Sequence, residues 1–114
     1  MHECVFCLIS DGKIPSAIVY EDEELIAFKD INPEAPVHIL TVPRKHIPSL
    51  AELSDNDMSL ISKIYIVAKK LAKDFLIIDK GFRIVANCGK DGGQSVNHLH
   101  FHLLGGRALQ WPPG

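Results

Sequence analysis

Apolar residues in the first 45 positions come in short runs separated by turn-forming residues. Cys4-Val5-Phe6-Cys7-Leu8-Ile9 predicts a short helical turn, stopped by Ser10-Asp11-Gly12. Ile18-Val19-Tyr20 and Leu25-Ile26-Ala27-Phe28 predict two strands, with the acidic run Glu21 to Glu24 as the hairpin turn between them. Pro33 and Pro36 make residues 30–36 a loop, and Val37 to Pro43 is a third strand ended by its own proline. The period then changes from two to about 3.6. Ser54 is a good N-cap with Asp55 and Asp57 behind it, and the helix it opens runs to about Phe75. Leu60, Ile61, Ile64, Ala68, Leu71 and Phe75 form the stripe that should lie on the sheet. Met58, Tyr65, Ile66 and Val67 widen the apolar surface, either as a broad core face or as a second contact with another subunit. Phe82 to Asn87 is a fourth strand, and the turn-rich stretch 89–95 leads into a fifth run, His98 to Leu104. The pattern is α+β: five mainly antiparallel strands with one long and one short helix, residues 1–114 forming a single domain.

The fifth run alternates strictly. On a strand, His98, His100 and His102 would point one way and Leu99, Phe101 and Leu103 the other, into a core. Half of the chain's six histidines are there, about 7 Å apart along the strand, close enough to share one phosphate-sized ligand. The preceding loop holds Gly89, Gly92 and Gly93, where backbone N–H groups can approach an anion without a Cβ in the way. It delivers the Ser95 hydroxyl three residues before His98. Such a loop is either a plain turn or one wall of a phosphate pocket. Near the start, Cys4 and Cys7 have the C-x-x-C spacing at which two thiolates converge on a tetrahedral ion, and His46 and His98 are available to complete a Cys₂His₂ zinc site. A redox dithiol and simple burial are the competing readings; the strand and βαβ context of a thioredoxin-like motif are missing. Cys88, at a strand end, has no partner in sequence and is expected to be buried.

Composition narrows the classes. Hydrophobic residues are 46% and charged residues 23% of the chain, an ordinary globular balance. Net charge is −2 with Lys and Arg scattered, which leaves no electrostatic footprint for a nucleic-acid backbone. No apolar stretch is long enough to span a membrane, and Met1-His2-Glu3-Cys4 lacks the layout of a signal peptide, so a cytoplasmic protein with reduced or metal-bound thiols is expected. A G-x-x-x-x-G-K-[ST] segment and an acidic pair arranged for Mg²⁺ are both missing, which argues against P-loop chemistry. A neutral imidazole can attack phosphorus without a metal.

His98-Leu99-His100-Phe101-His102-Leu103-Leu104 fits the signature His-φ-His-φ-His-φ-φ, with φ apolar, and so resembles the histidine triad family. Asp30-Ile31, Ala35-Pro36, His38, Pro43 to His46, Asn87, Asp91 to Ser95, Gly105-Gly106-Arg107 and the ending Trp111-Pro112-Pro113-Gly114 extend the resemblance to its Hint branch over nearly the whole chain. The resemblance implies a homodimer whose five-stranded sheets join, and a purine nucleoside phosphoramidate hydrolase or nucleotidyl transferase. In that family's terms His100 is the nucleophile and His102 binds phosphate oxygens, with His38 supporting them. Asn87, Gly93, Ser95 and Val96 hold the phosphate, Asp30 the ribose hydroxyls, and Ile31 belongs to an apolar base pocket. Zinc-bearing members use a cysteine pair with two histidines, matching Cys4, Cys7, His46 and His98, and zinc is structural, catalysis needing no cofactor. The resemblance also favours a tail that crosses to line the partner's pocket with Trp111 over an indole packed on its own subunit. The competing functions are a dinucleoside polyphosphate hydrolase and a non-catalytic nucleotide-binding or scaffold module.

Overall fold

The computed structural model describes residues 4–114; the leader reading of Met1 to Glu3 falls outside them. Helix α1 (Val5–Ser10) is followed by strands β1 (Ile18–Glu21), β2 (Leu25–Lys29) and β3 (Val37–Pro43), helix α2 (Met58–Asp74), and strands β4 (Phe82–Val85) and β5 (Phe101–Gly105). The five strands form one sheet in the order β1-β2-β3-β5-β4, antiparallel at every pairing. Among the described residues no helix is long and apolar enough to cross a membrane.

β3 lies at the centre, and six of its seven residues are buried, because both faces of the sheet are covered. Side-chain alternation sorts two cores. Leu25 and Ala27 of β2, Ile39 of β3, and Leu99, Phe101 and Leu103 pack under Leu60, Ile64, Val67 and Leu71 of α2. Ile26, Phe28, Leu40 and Val42 face the other way and pack with Phe6 and Ile9 of α1. Register carries this division to β5: His102 pairs with Leu40 and therefore shares the α1 face. His38 is two residues before Leu40 and shares that face too.

Besides β4, which ends at Val85 and not at Asn87, three features differ from the sequence reading. Ser54 does begin the helical segment, but the first turn, Asp55–Asp57, is 3₁₀, and the α-helix starts at Met58. Asp57 is responsible: its Oδ2 accepts from the Ser54 amide at 3.1 Å and hydroxyl at 3.0 Å, while Lys45 Nζ reaches its Oδ1 at 2.8 Å. Val67 is a core residue, whereas Met58, Tyr65 and Ile66 stay exposed. The third difference concerns the histidine run. β5 begins only at Phe101, so of the three imidazoles His102 alone lies on a strand. Beyond Thr41 paired with Phe101 the ladder stops, because Pro43 has no N–H to offer; the Leu99 amide instead donates to the Ile47 carbonyl at 2.6 Å.

Candidate functional site

A cavity of about 310 Å³ opens on the α1 face. Val5, Phe6 and Ile9 of α1 and Phe28 and Leu40 of the sheet make its apolar part; Asp30, Ser95, His100 and His102 supply polar groups. An apolar pocket with a few convergent polar side chains has the character of a small-molecule site. Of the residues expected there, Ile31 and Val96 also line it, Ile31 from an exposed position. Asn87, just past the end of β4, and Gly93 do not line it. Gly93, at φ +79°, occupies a conformation that favours glycine, and Gln94 staples the loop through Nε2 to the carbonyls of Pro48 at 2.7 Å and Val96 at 2.9 Å. Phe6, Ile9, Phe28 and Leu40 were not anticipated as pocket residues. Their signal was the side-chain parity of β2 and β3, which sends Phe28 and Leu40 away from α2.

Hydrogen-bond partners fix the protons on four imidazoles. The Glu34 amide donates to His38 Nδ1 at 3.0 Å, so the proton of neutral His38 is on Nε2. That N–H donates to His102 Nδ1 at 2.9 Å and lies 3.4 Å from Asp30 Oδ2. His102 therefore carries its own proton on Nε2, and among the described residues this is the buried side-chain nitrogen or oxygen without a partner. His100 donates Nδ1–H to the carbonyl of His98 at 2.7 Å, which leaves a lone pair on Nε2. The His100 and His102 rings are 5.1 Å apart. Burial first, then the neighbouring His100 and His38, lower the pKa of His102 to about 4; burial also lowers that of His38, against the pull of Asp30 and Glu34. With its pKa lowered, His102 thus presents a donor, while His100, donating through Nδ1, leaves Nε2 as an acceptor with nucleophilic character. Asp30, His38 and His102 also come close enough to chelate an ion. The Glu34 amide argues against it, since a metal on His38 Nε2 would move the proton to Nδ1 and set two donors against each other.

His98 turns to a different purpose. Its Nε2–H donates to the Pro43 carbonyl at 2.7 Å, so Nδ1 carries a lone pair. That atom is 3.2 Å from Cys4 Sγ, 3.5 Å from Cys7 Sγ and 3.2 Å from His46 Nδ1, and Cys7 Sγ is 3.3 Å from His46 Nδ1. Around a tetrahedral ion, sulfur and nitrogen donors stand about 3.3–3.8 Å apart, so the four residues fit one. The Pro43 carbonyl supplies the outer hydrogen bond that such a histidine ligand needs. Burial and the adjacent Cys4 raise the Cys7 thiol to about 11, a shift a bound cation would reverse. Cys88 is half-buried and outside this group. Trp111 is 80% exposed, so the indole is not packed on its own subunit.

Three alternating histidines, with His100 and His102 on the wall of one apolar cavity, are the hallmark of the histidine triad class, and here the first of them, His98, turns to a thiol pair. The chain belongs to the histidine triad family. Residues 3–109 match the family model described as "Scavenger mRNA decapping enzyme C-term binding", which is histidine-triad-like. An uncharacterized HIT-like protein of Synechocystis sp. is 47% identical over 112 residues, which is 98% of this chain and 97% of that protein. The crystal structure of a HIT family hydrolase from Legionella pneumophila is similar with a TM-score of 0.96 at 47% identity, covering 98% of this chain and 100% of that one. A histidine triad protein from Clostridium difficile gives a TM-score of 0.92 at 49% identity, over 96% of this chain and 97% of that one.

Proposed function

We propose that the protein is a purine nucleoside phosphoramidate hydrolase, or nucleotidyl transferase, of the Hint branch, working as a homodimer in the cytoplasm. One observation carries the reading: the unprotonated Nε2 of His100 and the unpartnered Nε2–H of His102 belong to adjacent rings on the wall of one apolar cavity. The Legionella relative's description as a hydrolase agrees with it. The purine would lie against Phe6, Ile9, Phe28 and Ile31, with the ribose hydroxyls toward Asp30 and the phosphate toward Ser95, Val96 and the Asn87 to Gly93 loop. His100 Nε2 attacks the α-phosphorus, the P–N bond breaks, and the amine leaves with a proton, for which the Ser95 hydroxyl is a donor on the wall. Negative charge on the phosphoryl oxygens meets His102 Nε2–H, an oriented donor that is itself shielded from water. Water then cleaves the nucleotidyl-histidine and frees His100. In the thiol cluster, Cys4, Cys7, His46 and His98 would hold a structural Zn²⁺, which ties α1 to the sheet and leaves no open position for substrate.

Turnover of an adenosine phosphoramidate, compared with a diadenosine polyphosphate, tests the reaction class. The phosphoramidate should be the better substrate, and quenched single turnover should trap the nucleotidyl group on His100. His100→Ala should lower kcat by roughly a thousandfold or more while AMP still binds, because the attacking atom is lost and little binding surface with it. Preference for the polyphosphate would assign the runner-up activity. Unchanged turnover in the variant, or an adduct on another residue, would remove His100 from the mechanism.

A further inference from the structure

Helix α1 serves two sites. Cys4 is its N-cap and Cys7 lies in its first turn, so it provides both thiols of the cluster; Val5, Phe6 and Ile9 from the same six residues wall the cavity. Phe6 stands edge-on to both histidine branches, 5.9 Å from the His98 ring and 5.1 Å from that of His100. A second link runs through the backbone: His98 offers Nδ1 to the thiols and its carbonyl to His100 Nδ1–H, the bond that sets the His100 tautomer. A six-residue helix does not persist by its own hydrogen bonds. Besides its apolar packing, α1 is held at its last residue, where Arg44 Nη1 donates to the Ser10 carbonyl at 2.8 Å, and at its first, by the cluster. Cys4 and Cys7 are only partly buried, within reach of a small oxidant.

We propose that Cys4 and Cys7 form a redox-released latch on the nucleotide pocket: two-electron oxidation by a peroxide joins the two sulfurs, expels the metal and loosens α1 together with the pocket wall it carries. The inference rests on the zinc and nucleotide readings above. One thiolate attacks a peroxide oxygen, the O–O bond breaks, and a sulfenic acid and hydroxide result. The second thiolate displaces hydroxide from that sulfur and the S–S bond forms. The sulfurs give up two electrons, the peroxide becomes two waters once protons are taken up, and the metal leaves as the divalent ion. All ligand atoms of the cluster lie within 4.8 Å of one another, so the sulfurs meet without the chain unwinding. What is lost is the tie from α1 to His46 and His98. A dithiol restores it.

The full-length zinc-loaded protein, treated with stoichiometric hydrogen peroxide, provides the test. One zinc should appear on a chromogenic chelator per Cys4–Cys7 disulfide found by mass spectrometry. Amide exchange over residues 5–10 should quicken by about tenfold or more, as expected for a segment released from its tertiary contacts. AMP affinity by calorimetry should fall about tenfold, and dithiothreitol with zinc should reverse every change. Cys88→Ser should respond like the native chain. The Cys4→Ser, Cys7→Ser double variant should bind AMP weakly and ignore peroxide; reduced protein stripped by a chelator makes the same comparison if that variant does not fold. Disulfide formation and zinc release with unchanged α1 exchange would overturn the latch, as would peroxide that leaves the two thiols reduced. Failure of AMP to bind the reduced, loaded protein counts against the proposed function alone, because α1 exchange still decides the latch.

Discussion

At the scale of single residues, the strict alternation of His98, His100 and His102 was plain in the sequence, and so were the C-x-x-C spacing and the spare histidines. Their division of labour was not. It depends on Pro43 lacking an N–H and on the Ile47 carbonyl capturing the Leu99 amide, contacts made across about fifty residues. The link from His38 to His102 is likewise a product of folding, and two predictions belong to it. His38→Ala should lower kcat about tenfold or more with less effect on KM, because it frees the His102 ring to turn and to move its proton off Nε2. His38→Gln, whose amide can accept from Glu34 and donate to His102, should recover part of the loss; equal activity in all three proteins would deny His38 a positioning role. The pH dependence of stability follows from the lowered pKa of His102, about 4, against about 6.5 for an unfolded histidine. Between those values the unfolded chain binds the extra proton, so stability is fully present above about pH 6.5 and is lost as pH falls toward 4. His38 acts in the same direction. The urea midpoint should drop between pH 7 and pH 5, and drop less in His102→Asn; an equal drop would mean that other groups control it.

At the scale of elements, hydrophobic period located the five described strands and both α-helices, because the main stripe or face it marked on each is one the fold buries, Met58, Tyr65 and Ile66 of α2 excepted. It also put the end of α2 at about Phe75, which is the C-cap, but did not show the way that end closes. Ile77 N–H bonds to the Ala72 carbonyl at 2.9 Å and Leu76 N–H to the Lys73 carbonyl at 3.2 Å, a Schellman closure with Leu76 at the left-handed position, φ 62°. Glycine is the residue expected there, and none follows Asp74 until Gly81. Leu76 is 89% exposed, so its side chain gains little from packing to offset the strained backbone. Leu76→Gly should therefore stabilise the protein, by about 0.5–1 kcal/mol after allowing for the greater freedom of glycine in the unfolded chain. Thermal unfolding measures it: a Tm raised by a few degrees is expected, and a lowered Tm would show that the leucine makes a contact worth more than its strain.

At the scale of the whole molecule, the sheet ends in an open edge, and the tail is placed there. β4 is the outer strand, every residue of it only half-buried, and Met58, Tyr65 and Ile66 of α2 are also left uncovered. Arg83 of β4 is paired with Leu104, which is itself paired with His38, so Arg83 points to the pocket face. Its Nη2 donates to the Gln110 carbonyl at 2.8 Å and holds the tail beside that edge, one residue before the exposed Trp111. An indole exposes a large apolar area, and in the proposed dimer, with β4 against its partner, this one is positioned to cover the outer side of the neighbouring pocket, where the amine would leave. Deleting Trp111 to Gly114 should then change the ratio of kcat/KM for a bulky and a small phosphoramidate by about tenfold, the scale on which one apolar contact discriminates, and should leave AMP binding nearly unchanged. Arg83→Ala should move the ratio in the same direction by a smaller factor, since it releases the tail without removing it. The indole's surroundings can be followed separately, because Trp111 is the chain's sole tryptophan: its emission should shift to the blue as the protein is concentrated through the monomer–dimer transition. A selectivity ratio identical in the native and shortened proteins, with emission that does not change on dimerisation, would show that the tail remains in solvent and that leaving-group preference is set within one subunit.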